Sequence, residues 1–493
     1  MTGSSYKLSD LNLDLFGSSL TEMDGIEFGL CRSTKAKKLV ALRKSVNSVL
    51  LGFQGQFSES AVGDLLICPL DPTNARELRS RLDWLRPRPL GTAASAGMGD
   101  RIGLATPGHV RAVKSTQTVQ PIFAQQSIRE MSRTNRTPQQ VMDDATWGVF
   151  QEGWQGGLGA DADHLKTPED IDYCLASGYT LFTIDPGAYV DYSAENADSG
   201  ILTEIVSQLP KEVQPQKTGL LGKEFEVEGY RIEFNENALL RASVKYGKVV
   251  DHVAGMYRHL VSVAGNHSFE LEVSVDETDQ PTSLLEHFYI ASELNRLGVQ
   301  WVSLAPRYVG TFEKGVDYIG DLKLFETEFS GHAAIARHFG GYKLSLHSGS
   351  DKFSIYPIVN RLADGRIHLK TAGTSYLEAL RTVADVDPGL FLGIYQFARD
   401  HYEADRVSYH VSAELSRAPL PGDVIEPTRL LDQFDAREIL HVTFGSVLTS
   451  KHENGNPIFY QDLMSCLEAN SEAYAANLEK HFKKHLQFFG KEN

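Results

Sequence analysis

Only four cysteines stand in the 493 residues, and Cys31, Cys68, Cys174 and Cys466 lie far apart with no Cys-x-x-Cys pair. Neither a disulfide framework nor a thiolate zinc knot is indicated, so any metal must be held by nitrogen and oxygen. Basic residues are short as well: Lys plus Arg number 48 against 64 Asp plus Glu, a formal charge of −16. Gripping nucleic acid or anionic membrane needs a basic face, so neither is expected as a partner. No stretch approaches the roughly 18 to 20 apolar residues of a membrane span. The opening MTGSSYKLSDLNLDLFGSS lacks the basic-then-apolar order of a signal peptide. A cytoplasmic location is expected. Gly-x-Gly-x-x-Gly and P-loop fingerprints are absent, so no nicotinamide cofactor is expected.

What is present, 42% hydrophobic and 23% charged residues, suits a globular protein with a sizeable core. Residues 1–90 alternate apolar runs (KLVAL, DLLICPL) with the helical ARELRSRLDWLR, which predicts a small α/β domain. The breaker-rich RPRPLGTAASAGMG that follows reads as a linker.

Eight β-type runs then alternate with helical stretches: RIGLATPG, PIFAQQS, GLGADADHLK, TLFTIDPG, FELEVSVDE, WVSLAPRY, KLSLHSGSD and RIHLKTAGTS. That number predicts a (β/α)8 TIM-type barrel over 91–445, with a doubly wound sheet as the alternative. The fourth and fifth runs are too far apart for one helix. An insertion at about 188–262 is expected, with a hairpin around Glu228 and Gly229 and a helix through Val244 to Leu260. Residues 446–493 should form a helical segment packed on the barrel.

Three runs carry chemistry. Period-two alternation in FELEVSVDE puts Glu270, Glu272, Ser274 and Asp276 on one face, opposite an apolar face that must meet the covering helices. The acidic face therefore points into the barrel or a cleft, unless the run is a solvated edge strand. GLGADADHLK brings Asp163 and His164 to the carboxyl end of a strand, where barrel enzymes keep reactive groups. His347 ends KLSL and enters a small-residue loop, 348–351, that finishes at Asp351. Two imidazoles from different strands, with carboxylates nearby, suit one divalent cation, whether Zn, Ni, Mn or Fe. For a third ligand the candidates are Glu313, His332, Asp276 and Gln126, with Glu313 following most directly from a strand end. Arg307, Lys352 and Lys370, the last before a Gly/Thr/Ser turn, offer cations for an anionic substrate, with Gln126 and Asp351 as further contacts.

Taken together, GDRIGLATPGHVRA, PIFAQQSIRE, DDATWGVFQEG, GADADHLKTPED, FTIDP, EVSVDETDQPTS, HSGSDKFS and KTAGTSYLEAL resemble the tagaturonate epimerase family of bacterial hexuronate metabolism, over about 95–445. The first 90 or so residues match less clearly. The resemblance implies interconversion of D-tagaturonate and D-fructuronate with a divalent metal. It implies Asp163 as proton acceptor, Glu272 as proton donor, and His164 and His347 as metal ligands. The two sugar acids differ at a carbinol carbon β to the ketone, whose C–H is not acidified by the carbonyl. Inversion there needs transient oxidation or cleavage and re-formation of a C–C bond, and without a dinucleotide fingerprint the retro-aldol route is expected. The two carboxyl groups should then have separated pKa values, one kept neutral by burial and one ionised. A metal-dependent aldolase or lyase on a sugar acid, and a non-catalytic sugar-acid-binding protein, are the alternatives.

Overall fold

The computed structural model describes residues 7–33, 36–44, 50, 52–60, 63–423 and 425–489. Its centre is a closed, all-parallel barrel of eight strands. In chain order these are β1 (Ser95–Gly97), β2 (Gln120–Ser127), β3 (Gly159–Leu165), β4 (Leu181–Ile184), β5 (Glu270–Val275), β6 (Ser303–Pro306), β7 (Lys343–Leu346) and β8 (Ile367–Lys370). Closure is made by β8 on β1, with His368 opposite Ser95 and Lys370 opposite Gly97.

Seven strands fall on the expected runs, and the eighth does not. RIGLATPG is a loop leading into the helix Thr106–Thr116, and β1 lies in the segment read as a linker. Small residues hid it. The barrel wall is so tight there that a Cβ on Gly97 would sit 2.9 Å from Gln125 Cγ, and residues chosen for closeness carry no apolar alternation.

The chain before β1 forms a six-stranded antiparallel sheet with the helix Pro72–Arg81, capped by Asp71 on the backbone N–H of Asn74. Between β4 and β5 lies the expected hairpin, Glu224–Val227 with Tyr230–Glu233. Glu228 and Gly229 at its turn both have positive φ, which a two-residue turn of the right twist requires. The helix after it is longer than its periodicity implied, running Glu236–Ala264 from an Asn235 cap. The C-terminal helix Ser471–Leu486 packs on Thr106–Thr116 and Thr374–Val386 against the barrel's outer layer. Among the described residues no helix is long and apolar enough to cross a membrane.

The barrel interior is unusual in being polar. Branched aliphatic side chains commonly fill such barrels. Here Asp161, Thr183, Glu272, Ser303, Lys343, His368 and Lys370 are all at least 97% buried. Buried charge survives only when paired, and Lys370 supplies the pairing.

Candidate active site at the carboxyl end of the barrel

Lys370 closes β8, and its ammonium lies 2.7 Å from Asp163 Oδ1, 2.8 Å from Glu272 Oε1 and 3.0 Å from Asp161 Oδ2. It also donates to Thr183 Oγ1 at 2.7 Å. Three strands, β3, β4 and β5, thus converge on a cation carried by a fourth. Burial opposes the charged form of each partner, but mutual attraction overrides it. Lys370 is held well above the ordinary lysine range by Asp161, Asp163 and Glu272. Asp163 and Glu272 are both held below the carboxylate range against burial, chiefly by Lys370. A single ammonium thus draws both carboxyl groups toward the ionised form.

The two histidines stand beside this group, ring centroids 5.0 Å apart. In an ideal strand the consecutive Asp163 and His164 would face opposite sides. His164 has φ +53, and the β3–β4 register slips at this point, so the local kink brings both side chains to one site. Each imidazole is oriented by a carboxylate at Nδ1. Asp185 lies 3.3 Å from His164 Nδ1, and Asp276 lies 3.1 Å from His347 Nδ1. His347 Nε2 is 2.7 Å from Glu272 Oε1. Burial disfavours the His347 cation, yet Asp276 and Glu272 push its pKa up to about 10.

Asp163, His164 and His347 each present a ligand atom, all within 4.8 Å of one another. Ligands about 2.1 Å from one centre lie at most about 4.2 Å apart, so modest closure suffices. Two imidazoles and a carboxylate, with carboxylates behind both rings, match a divalent-cation donor set. Glu272 Oε2 is buried with no hydrogen-bond partner.

Not every predicted residue joins this group. Gln126 accepts from Arg136 Nη1 at 3.2 Å, away from the site. Its neighbour Gln125, which the sequence reading missed, donates to Asp163 Oδ2 at 3.1 Å. Glu313 accepts from the backbone and hydroxyl of Ser412, at 2.8 and 3.0 Å, instead of joining the histidines. Asp351 faces away, taking Arg437 at 3.1 Å and His481 at 2.9 Å. Lys352 is buried on the carbonyls of Glu313, Val316 and Ser350. His332 pairs with His287, Nδ1 to Nδ1 2.9 Å. Arg307 does line the pocket, a cavity of about 240 Å³ that it shares with His164, His347, Asp276, Arg129 and Lys314.

The Glu313 carboxyl has a measurable consequence of its own. Glu438 is raised from 4.5 to about 9 by burial and then by Glu313. The folded state thus keeps a proton that the unfolded chain has lost, and stability falls as pH rises from about 4.5 to 9. Glu438→Gln is expected to flatten that decline in thermal unfolding; an unchanged slope would show that Glu438 is ionised in the fold.

The family model for tagaturonate epimerase matches residues 16–489. The chain belongs to the tagaturonate epimerase family. It is 42% identical over 482 residues to the tagaturonate/fructuronate epimerase of Thermotoga maritima, covering 96% of each chain. A glycerol-complexed crystal structure of fructuronate-tagaturonate epimerase from Cohnella laeviribosi superposes with a TM-score of 0.91 at 38% identity, covering 98% of this chain and 97% of that one. The native structure of the same enzyme gives equal values. The family match takes in most of the N-terminal sheet, which the sequence motifs had left uncovered.

Proposed function

We propose that the protein is an isomerase that interconverts D-tagaturonate and D-fructuronate, a soluble enzyme of sugar-acid metabolism. The observation that carries this reading is the convergence of Asp163 and Glu272 on Lys370 beside the His164 and His347 pair, in a chain of this family. His164, His347 and Asp163 would hold one divalent cation. When bound, that cation supplies Lewis-acid polarisation of the substrate oxygens.

Asp163 takes the proton from the hydroxyl on the carbon to be inverted, and the bond from that carbon to the α carbon breaks. The electron pair stays with the ketone-bearing fragment as an enolate, while the other fragment becomes an aldehyde. After the aldehyde turns, its opposite face is attacked, the bond re-forms, and Glu272 protonates the new alkoxide. Lys370 touches both carboxylates, so it hands a proton to Glu272 as it receives one from Asp163.

The test is incubation of metal-analysed protein with D-tagaturonate. Fructuronate alone, with turnover lost on chelation and restored by divalent metal, is the expected result. Accumulating small carbonyl fragments would make the protein an aldolase. No product from metal-loaded protein would leave only a binding role.

A further inference from the structure

Three cations line the pocket that His164 and His347 open into, and they are not equivalent. Arg129 is paired with Glu277 at 2.8 Å, and Arg307 donates to the carbonyl of Thr278. Lys314 has no hydrogen bond or ion pair among the described residues. It is half-buried, so water serves its ammonium incompletely, and an unpaired charge in such a place is costly. The backbone that presents it is clamped on both sides. Lys352 donates to the carbonyl of Glu313 at 2.7 Å, and Arg437 Nε donates to that of Gly315. The Glu313 side chain is held in turn by Ser412. A fixed backbone carrying one unpartnered ammonium into a pocket is a preorganised anion receptor. Lys370, the other lysine at the site, is already saturated by three carboxylates.

We propose that Lys314 binds the carboxylate of the hexuronate and sets the preference for sugar acids over neutral ketohexoses. The inference rests on the epimerase reading of this pocket. It also removes the substrate carboxylate from Lys370, leaving that residue free to connect Asp163 and Glu272. Arg129 is held by Glu277, while Arg307 gives one guanidinium nitrogen to the Thr278 carbonyl and keeps its Nε without a hydrogen-bond partner, so it is the second group able to turn toward the ligand.

Steady-state kinetics on metal-loaded protein test this, with D-tagatose, which carries CH2OH in place of the carboxylate, as competitor. Lys314→Met should raise the KM for tagaturonate about 10- to 100-fold, the range of a charge-assisted hydrogen bond. The kcat should stay within about threefold. Lys314→Arg should recover most of the loss, and inhibition by tagatose should be the same in all three proteins. A tagaturonate KM unchanged in Lys314→Met, or a loss shared equally by tagatose, would overturn the assignment. Wild-type protein that does not interconvert the two uronates would instead remove the reading on which it rests.

Discussion

Lys370→Met is expected to destabilise the protein by about 3–5 kcal/mol, the usual effect of stranding a buried charge. That is a large share of the roughly 5–15 kcal/mol that holds a typical domain folded. The substitution removes the ammonium that Asp161, Asp163 and Glu272 share, leaving nearby only Lys343 in the barrel interior and the His347 imidazole beside Glu272. Nor can the carboxylates simply relax into water, since Asp161 and Glu272 are fully buried. The expected escape is protonation, so the deficit should shrink below about pH 5, where carboxyl groups take up protons more readily. Urea unfolding at pH 5 and pH 8 measures both effects. Adding Asp163→Asn to Lys370→Met should restore part of the loss, because one of the stranded charges is gone. A Lys370→Met protein within about 1 kcal/mol of wild type at pH 8 would mean that the carboxylates are balanced by something other than Lys370.

The second large effect is on turnover. Asp163→Asn and Glu272→Gln should each lower kcat/KM about 10²- to 10⁴-fold, the range for loss of a positioned acid or base. The amide keeps the shape and can still accept hydrogen bonds, so the fold should survive. Because the equilibrium between the two sugar acids does not depend on the enzyme, each substitution must slow the forward and reverse reactions by the same factor. Measuring both directions therefore guards against a spurious loss from product inhibition. Asp163→Asn with near-normal turnover and bound metal would show that another group accepts the proton.

The barrel and the heart of its site were legible for a shared reason: strands impose parity. The alternation of β5 is enough to put Glu272 inside, and the ends of β3, β7 and β8 place Asp163, His347 and Lys370 where parallel strands converge. Failures occurred where parity is interrupted or was never present. On β2 the choice between Gln125 and Gln126 turns on a shift of one residue, and it is Gln125 that reaches Asp163. His164 reaches the site through a left-handed backbone that no pattern announces. Glu313 and Lys314 lie in a loop fixed by Ser412, Lys352 and Arg437 from distant segments. Such contacts leave no periodic trace. The meaning of Lys370 was also out of reach, because its three carboxylates come from β3 and β5 and meet it only after closure.

The loop after His347 is tied down from the far end of the chain. The backbone N–H of Asp351 donates to His485 Nε2 at 2.9 Å, while its carboxylate meets His481. During synthesis, β3, β5, β7 and β8 emerge from the ribosome well before that helix does. Until the chain has been made as far as His485, the segment carrying His347 lacks its anchor. Ordering of the candidate site therefore waits on a helix more than a hundred residues further along the chain.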